Sequence, residues 1–210
     1  KNELLLTLIA LLLIVAEIAI DNKRKIIPLA IYLFFIYTLV GFLGNQTGEL
    51  FGGMYQNSDL IILMKNILNI GVFIVLLQSV NWLKKEENKE KISEYFVLLI
   101  STLIGINFMI SAGEFLMFYL GLELTTIPIA VLVAYKTFST KSAEAGIKLI
   151  LSAAFSSGIM LFGISLFYGQ FGSTYFADLS LLRMDSPLAI LALIFFFSGL
   201  AFKISLVPFH

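Results

Sequence analysis

Cysteine is absent from this 210-residue chain, and histidine and tryptophan occur once each. Without Cys and with a single His, the ligand sets that hold zinc, haem or iron–sulfur clusters are missing, so a metal redox centre is not expected. No disulfide can report a redox compartment. Charge is scarce as well. Only 13% of residues are charged, where soluble domains carry about 25%. The formal net charge of zero gives no reason to expect nucleic acid or another polyanion as a partner. There is no glycine-rich phosphate loop, Cys/His cluster or nucleophile elbow.

What the chain has instead is apolar length. Hydrophobic residues make up 59% of it and the mean hydropathy is +0.96. Runs such as 26–44 and 95–112 are too apolar for surface helices or ordinary strands. Nine of the fourteen Lys and Arg residues fall in three short segments: Lys23, Arg24 and Lys25; Lys84, Lys85, Lys89 and Lys91; Lys136 and Lys141. Basic residues on every second connection mark a chain that weaves through a bilayer, because Lys and Arg stay on the cytoplasmic side. The other side receives Lys1 and Arg183, which places the N-terminus outside. Continuous apolar runs satisfy their backbone in lipid only as helices, so the fold class is an all-α, polytopic transmembrane bundle.

Seven spans are expected, at about 3–21, 26–44, 60–82, 93–112, 114–135, 143–168 and 187 to the end. The stretch 4–20 lacks a basic n-region and a small-residue cleavage site, and it reads as the first span rather than a signal peptide. The short link at Gly113 makes spans four and five antiparallel neighbours. The connection 169–186 has room for a short amphipathic surface helix at about 177–184. The chain starts at Lys1 rather than Met and stops within an apolar pattern, as a piece of a longer polypeptide would.

Charges inside the spans need explaining, because an ionised group at the bilayer centre costs at least about 2.5 kcal/mol on insertion scales. Lys65 lies about 9 Å of helix from Asp59 and is expected to snorkel outward. Glu123 cannot do so. It lies about 13–14 Å from a helix end, near the midplane. Pro128, five residues on, removes a hydrogen bond to Leu124 and lets the helix kink beside the acid. Lys203 is the expected partner, some sixteen residues into the seventh span, with Pro208 interrupting the helix just beyond it. Desolvation disfavours an ammonium and a nearby carboxylate favours it, so shifting charge on Glu123 would load or unload Lys203. His210 titrates near neutrality when unperturbed and follows the break. Glu144 and Lys148 form an i,i+4 pair with the acid N-terminal. Lys148 either snorkels to the basic side or forms the mouth of a hydrated path. Glu17, Asp21, Glu90, Glu94 and Glu114 sit near span boundaries and are expected to be solvated. Gly121, Gly158, Gly163 and Gly199 are expected to let helices approach closely.

Three segments carry a resemblance. They are GEFLMFYLGLELTTIP at 113–128, SAEAGIKLILSAAFSSGIMLFGISLFYG at 142–169 and GLAFKISLVPFH at 199–210. Together they resemble the antiporter-like membrane subunits of proton-pumping NADH:quinone oxidoreductase, respiratory complex I, and most closely those called subunit N. The likeness is specific over 93–210, while residues 1–92 match in hydropathy and helix number. It implies a domain division at 92/93, with the second part forming most of the first of two inverted five-helix repeats. By the same resemblance, Glu123, Lys203, Lys148, Glu144 and His210 belong to a proton path along a hydrated lysine axis. NADH, flavin, iron–sulfur clusters and quinone would be held by other subunits, with no cofactor in this chain. The implied partners are other complex I membrane subunits, lipid and protons. The implied location is the bacterial inner membrane, or alternatively the mitochondrial one. The competing readings are a subunit of a multisubunit Na⁺/H⁺ antiporter and a non-conducting membrane scaffold.

Overall fold

In the computed structural model, residues 2–43, 47–136, 139–178 and 186–207 are described. They hold seven α-helices: α1 Asn2–Ala19, α2 Ile26–Gly41, α3 Asp59–Leu83, α4 Ile92–Ile110, α5 Phe115–Val133, α6 Thr140–Phe171 and α7 Pro187–Lys203. Six are long and apolar enough to cross a membrane, and α7 is a shorter apolar helix of 17 residues. The bundle is therefore that of an integral membrane protein. Several helix starts are set by serine. Ser58, Ser139 and Ser186 each accept a backbone N–H at a helix N-terminus, and Pro187 follows Ser186 at a position where its missing N–H costs nothing.

Packing follows small residues and heptad-like spacing. On α6 Ser156, Met160 and Gly163 pack against α7, whose buried Ala189, Ala192, Phe196 and Gly199 repeat at three and four residues. The Gly199 position lies so near α6 that an added Cβ would meet Ser156 O at 2.6 Å. Gly121 brings α5 equally close to α4, with Met109 N at 2.5 Å from the same hypothetical atom, and Gly163 acts likewise on α7. Gly158 has open space, contrary to expectation, because it points away from α7.

Two apolar cores result. One gathers α1 to α4 around Leu6, Leu13, Phe34, Leu76, Phe96 and Leu103. The other joins α5, α6 and α7 around Phe115, Met160, Phe167 and Phe196, where the Phe115 ring lies 4.9–5.2 Å from three other Phe rings. Between α2 and α3 a two-stranded antiparallel hairpin forms from β1 Gly48–Leu50 and β2 Tyr55–Asn57. It docks on the α4–α5 link through Gln56 N to Ser111 O and Gly113 N to Met54 O, both 2.7 Å. A side chain at Gly113 would lie 2.0 Å from Gly53 O, so only glycine allows this seat.

At the opposite, basic end, Trp82, Tyr95 and Tyr135 stack with centroids 5.7–6.0 Å apart, in the manner of an interfacial aromatic belt. Lys91 lies over the Tyr135 ring at 5.5 Å, and Arg24 pairs with Glu86.

Two further expectations need amendment. Glu114 is buried rather than solvated, because the segment after α6 folds back over it and Thr174 donates to its carboxylate at 2.5 Å. Helix α5 continues through Pro128, which stands inside it. The seventh helix ends at Lys203, ahead of Pro208. Ser205 takes a left-handed conformation with φ 54°, Leu206 N donates to Ala201 O, and Ser205 N donates to Phe202 O. This pattern closes a helix end by itself, so proline is not needed for the break. Lys1, Arg183, Pro208, His210 and most of the proposed 177–184 surface helix lie outside the described residues.

Candidate functional site: buried acid–amine pairs

Three helices assemble the first site. Glu123 lies on α5, with Thr126 three residues further along the same face. α6 contributes Ser157, whose hydroxyl donates to Glu123 Oε1. α7 delivers Lys203 in its last turn. Lys203 Nζ donates to Glu123 Oε1 at 2.5 Å and to Thr126 Oγ1 at 3.2 Å. The Lys203 side chain is 8% exposed and that of Glu123 23%. The C-terminus of α7 also presents the negative end of its dipole to the ammonium. The Thr126 hydroxyl in turn donates back to Leu122 O at 2.7 Å, which holds its oxygen toward Lys203.

The amine opens onto a cavity of about 780 Å³ bordered by Thr125, Thr126, Ser152, Lys203 and Lys148. Lys148 thus reaches the same space as Lys203 from a turn nearer the basic end of α6. Its ammonium pairs with Glu144 at 2.5 Å, with both side chains largely exposed (73% and 62%). Glu123 and Lys203 thus meet directly, Lys148 borders the same cavity as Lys203, Glu144 touches Lys148 outside that cavity's lining, and His210 falls outside the described residues.

A second pair was not anticipated. Lys65 does not snorkel toward Asp59. Its Nζ lies 2.6 Å from Glu3 Oε1 and the side chain is 2% exposed. Tyr55, carried in by the hairpin, donates to the same Glu3 oxygen at 2.6 Å and accepts from Lys65 at 2.7 Å. Lys65 Nζ also sits 4.9 Å from the centre of the Tyr55 ring, a cation–π geometry. Burial and the Glu3 carboxylate raise the Tyr55 hydroxyl above its ordinary pKa, which keeps it a neutral donor. An inward partner on another helix binds an ammonium better than a long reach to water does. A signal was present in the pattern. Lys65, Asn66 and Asn69 share one face of an otherwise apolar helix, and lipid drives such a face inward.

The fold and these pairs define a class: a polytopic helical membrane protein with acid–amine pairs embedded among its helices. Residues 112–210 match the family described as NADH:quinone oxidoreductase/Mrp antiporter, TM, and this stretch of the chain belongs to that family. Among its relatives is the NADH-quinone oxidoreductase subunit N of Phocaeicola vulgatus, 48% identical over 210 residues that cover 99% of this chain and 44% of the relative. Subunit N of Magnetococcus marinus is 41% identical, over 89% of this chain and 39% of that one. The fold is shared with a chain of respiratory complex I from Thermus thermophilus, at a TM-score of 0.79 and 20% identity. It is shared equally with one of the membrane-bound sulfane sulfur reductase, an archaeal respiratory membrane complex, at 0.80 and 22%. Each likeness spans all of this chain and 45% of the other. The chain thus spans less than half the length of the relatives it matches.

Proposed function

We propose that this chain forms part of a proton-translocating subunit of NADH:quinone oxidoreductase, in which Glu123 and Lys203 hold and release the transferred proton. The observation that carries the reading is the Lys203–Glu123 contact of 2.5 Å, beside a cavity that Lys148 also lines. The Coulomb attraction between the two groups stabilises the ammonium away from water. Protonating the carboxylate, or drawing it away, removes that attraction and leaves the Thr126 hydroxyl as the remaining contact. The ammonium then favours giving its proton to the cavity, and Lys148 lies on the path. Lys148 can accept that proton only after it has passed on its own, and the Glu144 carboxylate sets how readily it does so. His210 follows α7 and would continue the path.

In this reading the basic loops face the cytoplasm of a bacterium, and residues 93–210 form most of the first antiporter-like repeat. NADH, flavin, iron–sulfur clusters and quinone are then bound by other subunits, which are its partners in the bilayer. Every relative named above carries the oxidoreductase name, which favours this over a Na⁺/H⁺ exchanger subunit. The test is proton pumping per electron in the assembled complex. Glu123→Gln and Lys203→Met should each assemble and lose most of the pumping. Pumping at the parental level in both variants would overturn the proposal. A complex that exchanges Na⁺ without oxidising NADH would turn it toward the exchanger.

A further inference from the structure

The Glu3–Lys65 pair is the visible corner of a larger polar region between α2, α3 and α4. Among the described residues, seven buried side-chain polar atoms have no hydrogen-bond partner, and all belong to Tyr37, Asn66, Asn69, Asn107 and Ser111. They are neighbours. A Cβ placed on Gly41 would lie 2.8 Å from Asn66 Oδ1 and 3.5 Å from Asn69 Nδ2, so the absence of a side chain there makes room for both amides. The Tyr37 hydroxyl lies near the Asn69 and Asn107 amides and the Glu3 carboxylate, and the Tyr55 hydroxyl near Ser111, Tyr37 and Glu3. Asn69 and Asn107 are both fully buried, and each leaves its amide nitrogen and oxygen unpaired.

Amides and hydroxyls that converge in an apolar interior without bonding one another directly need a small ligand with both donors and acceptors. Carboxamides present both, which suits water and no single-sign ion. The ion pair at the edge of the group supplies further donors and an acceptor at 2.6–2.7 Å spacing. An apolar ligand would leave the seven atoms unanswered.

We propose that this region is a binding site for a small cluster of water molecules, which links the Glu3–Lys65 pair through Tyr37 and Asn69 to Asn107 on α4 and Ser111 at its C-terminal cap. The site is separate from Glu123 and Lys203 and stands whether or not those residues conduct protons. Water bridging of this kind supplies the missing hydrogen bonds and keeps the buried pair in exchange with a hydrogen-bonded chain.

Radiolytic hydroxyl-radical labelling tests it directly, in the full-length protein within its complex in lipid nanodiscs. Radicals form from bound water, so a buried ring is modified when water touches it. Tyr37 and Phe34 are three residues apart, 5.5 Å between ring centres and equally buried, which makes Phe34 the internal control. Tyr37 should be modified several-fold faster than Phe34, and Asn69→Leu or Asn107→Leu should remove most of that excess. A Tyr37 rate equal to that of Phe34 would overturn the site. So would an excess that survives in whichever leucine variant folds.

Discussion

Two buried acid–amine pairs lie in the two halves of this molecule, and they are built differently. In the N-terminal half, Lys65 lies within an unbroken helix, 2% exposed, and a tyrosine from a docked hairpin joins both charges. In the C-terminal half, Lys203 lies at the last turn of a helix that closes with a strained serine, and it faces a cavity. The first arrangement is enclosed by protein on every side that the hairpin and α4 reach. The second leaves its amine beside open space. The lesson is that an ion pair in a membrane can be a fastening or a working part, and the surroundings of the amine decide which. The Glu144–Lys148 pair, largely exposed, forms a third and loosest grade.

The largest effect should come from breaking the enclosed pair. Lys65→Met strands Glu3 among apolar groups and should destabilise the protein by about 3–5 kcal/mol, read as loss of thermal stability in detergent. Adding Glu3→Gln should recover much of that loss. A double variant no better than the single would show that the two residues do not act as a pair. Lys203→Met should cost less, roughly 1–3 kcal/mol, because Glu123 keeps its Ser157 bond and partial access to the surroundings. A cost equal to that of Lys65→Met would erase the distinction between the halves.

Smaller substitutions sharpen it further. Gly199→Ala, which presses on Ser156 and Met160 behind the Lys203 site, should cost about 1–3 kcal/mol, whereas Gly158→Ala should stay within about 0.5 kcal/mol. Ser205→Gly should relieve the left-handed end of α7 and stabilise by about 1 kcal/mol, with Tm rising accordingly. Lys148→Met should change stability by about 0–1 kcal/mol, as expected of an exposed i,i+4 pair. The smallest effect is spectroscopic. Tyr55 should ionise above the usual tyrosine range, so phenolate absorbance in Tyr55→Phe should fall at the most alkaline end only. Stability held by the neutral Tyr55 is present below the unfolded tyrosine pKa near 10 and is lost as pH rises through the higher folded value.

Much of the architecture was legible along the chain. The first six expected spans each have a helix within a few residues of their bounds, and the seventh begins where expected at Pro187 but ends early, at Lys203; run length and loop charge are properties that lipid reads directly. The Glu123–Lys203 contact was legible too, since Glu123 has no escape to water along its own helix and Lys203 has no acid near it in sequence. Lys65 was misplaced for the converse reason: a plausible escape existed nearby in sequence, while Glu3 and Tyr55 are 62 and 10 residues away. Glu114 was misjudged because the segment that covers it folds back from beyond α6.

By itself, then, the order of residues determined the solvent, the number of helices and which charges would be costly, since each depends on neighbours within one or two turns. Tertiary structure alone decided which acid meets which amine, which helix faces approach through glycine, and where seven polar atoms converge. Those outcomes depend on distances of a few ångströms between segments far apart in the chain, and only packing sets them.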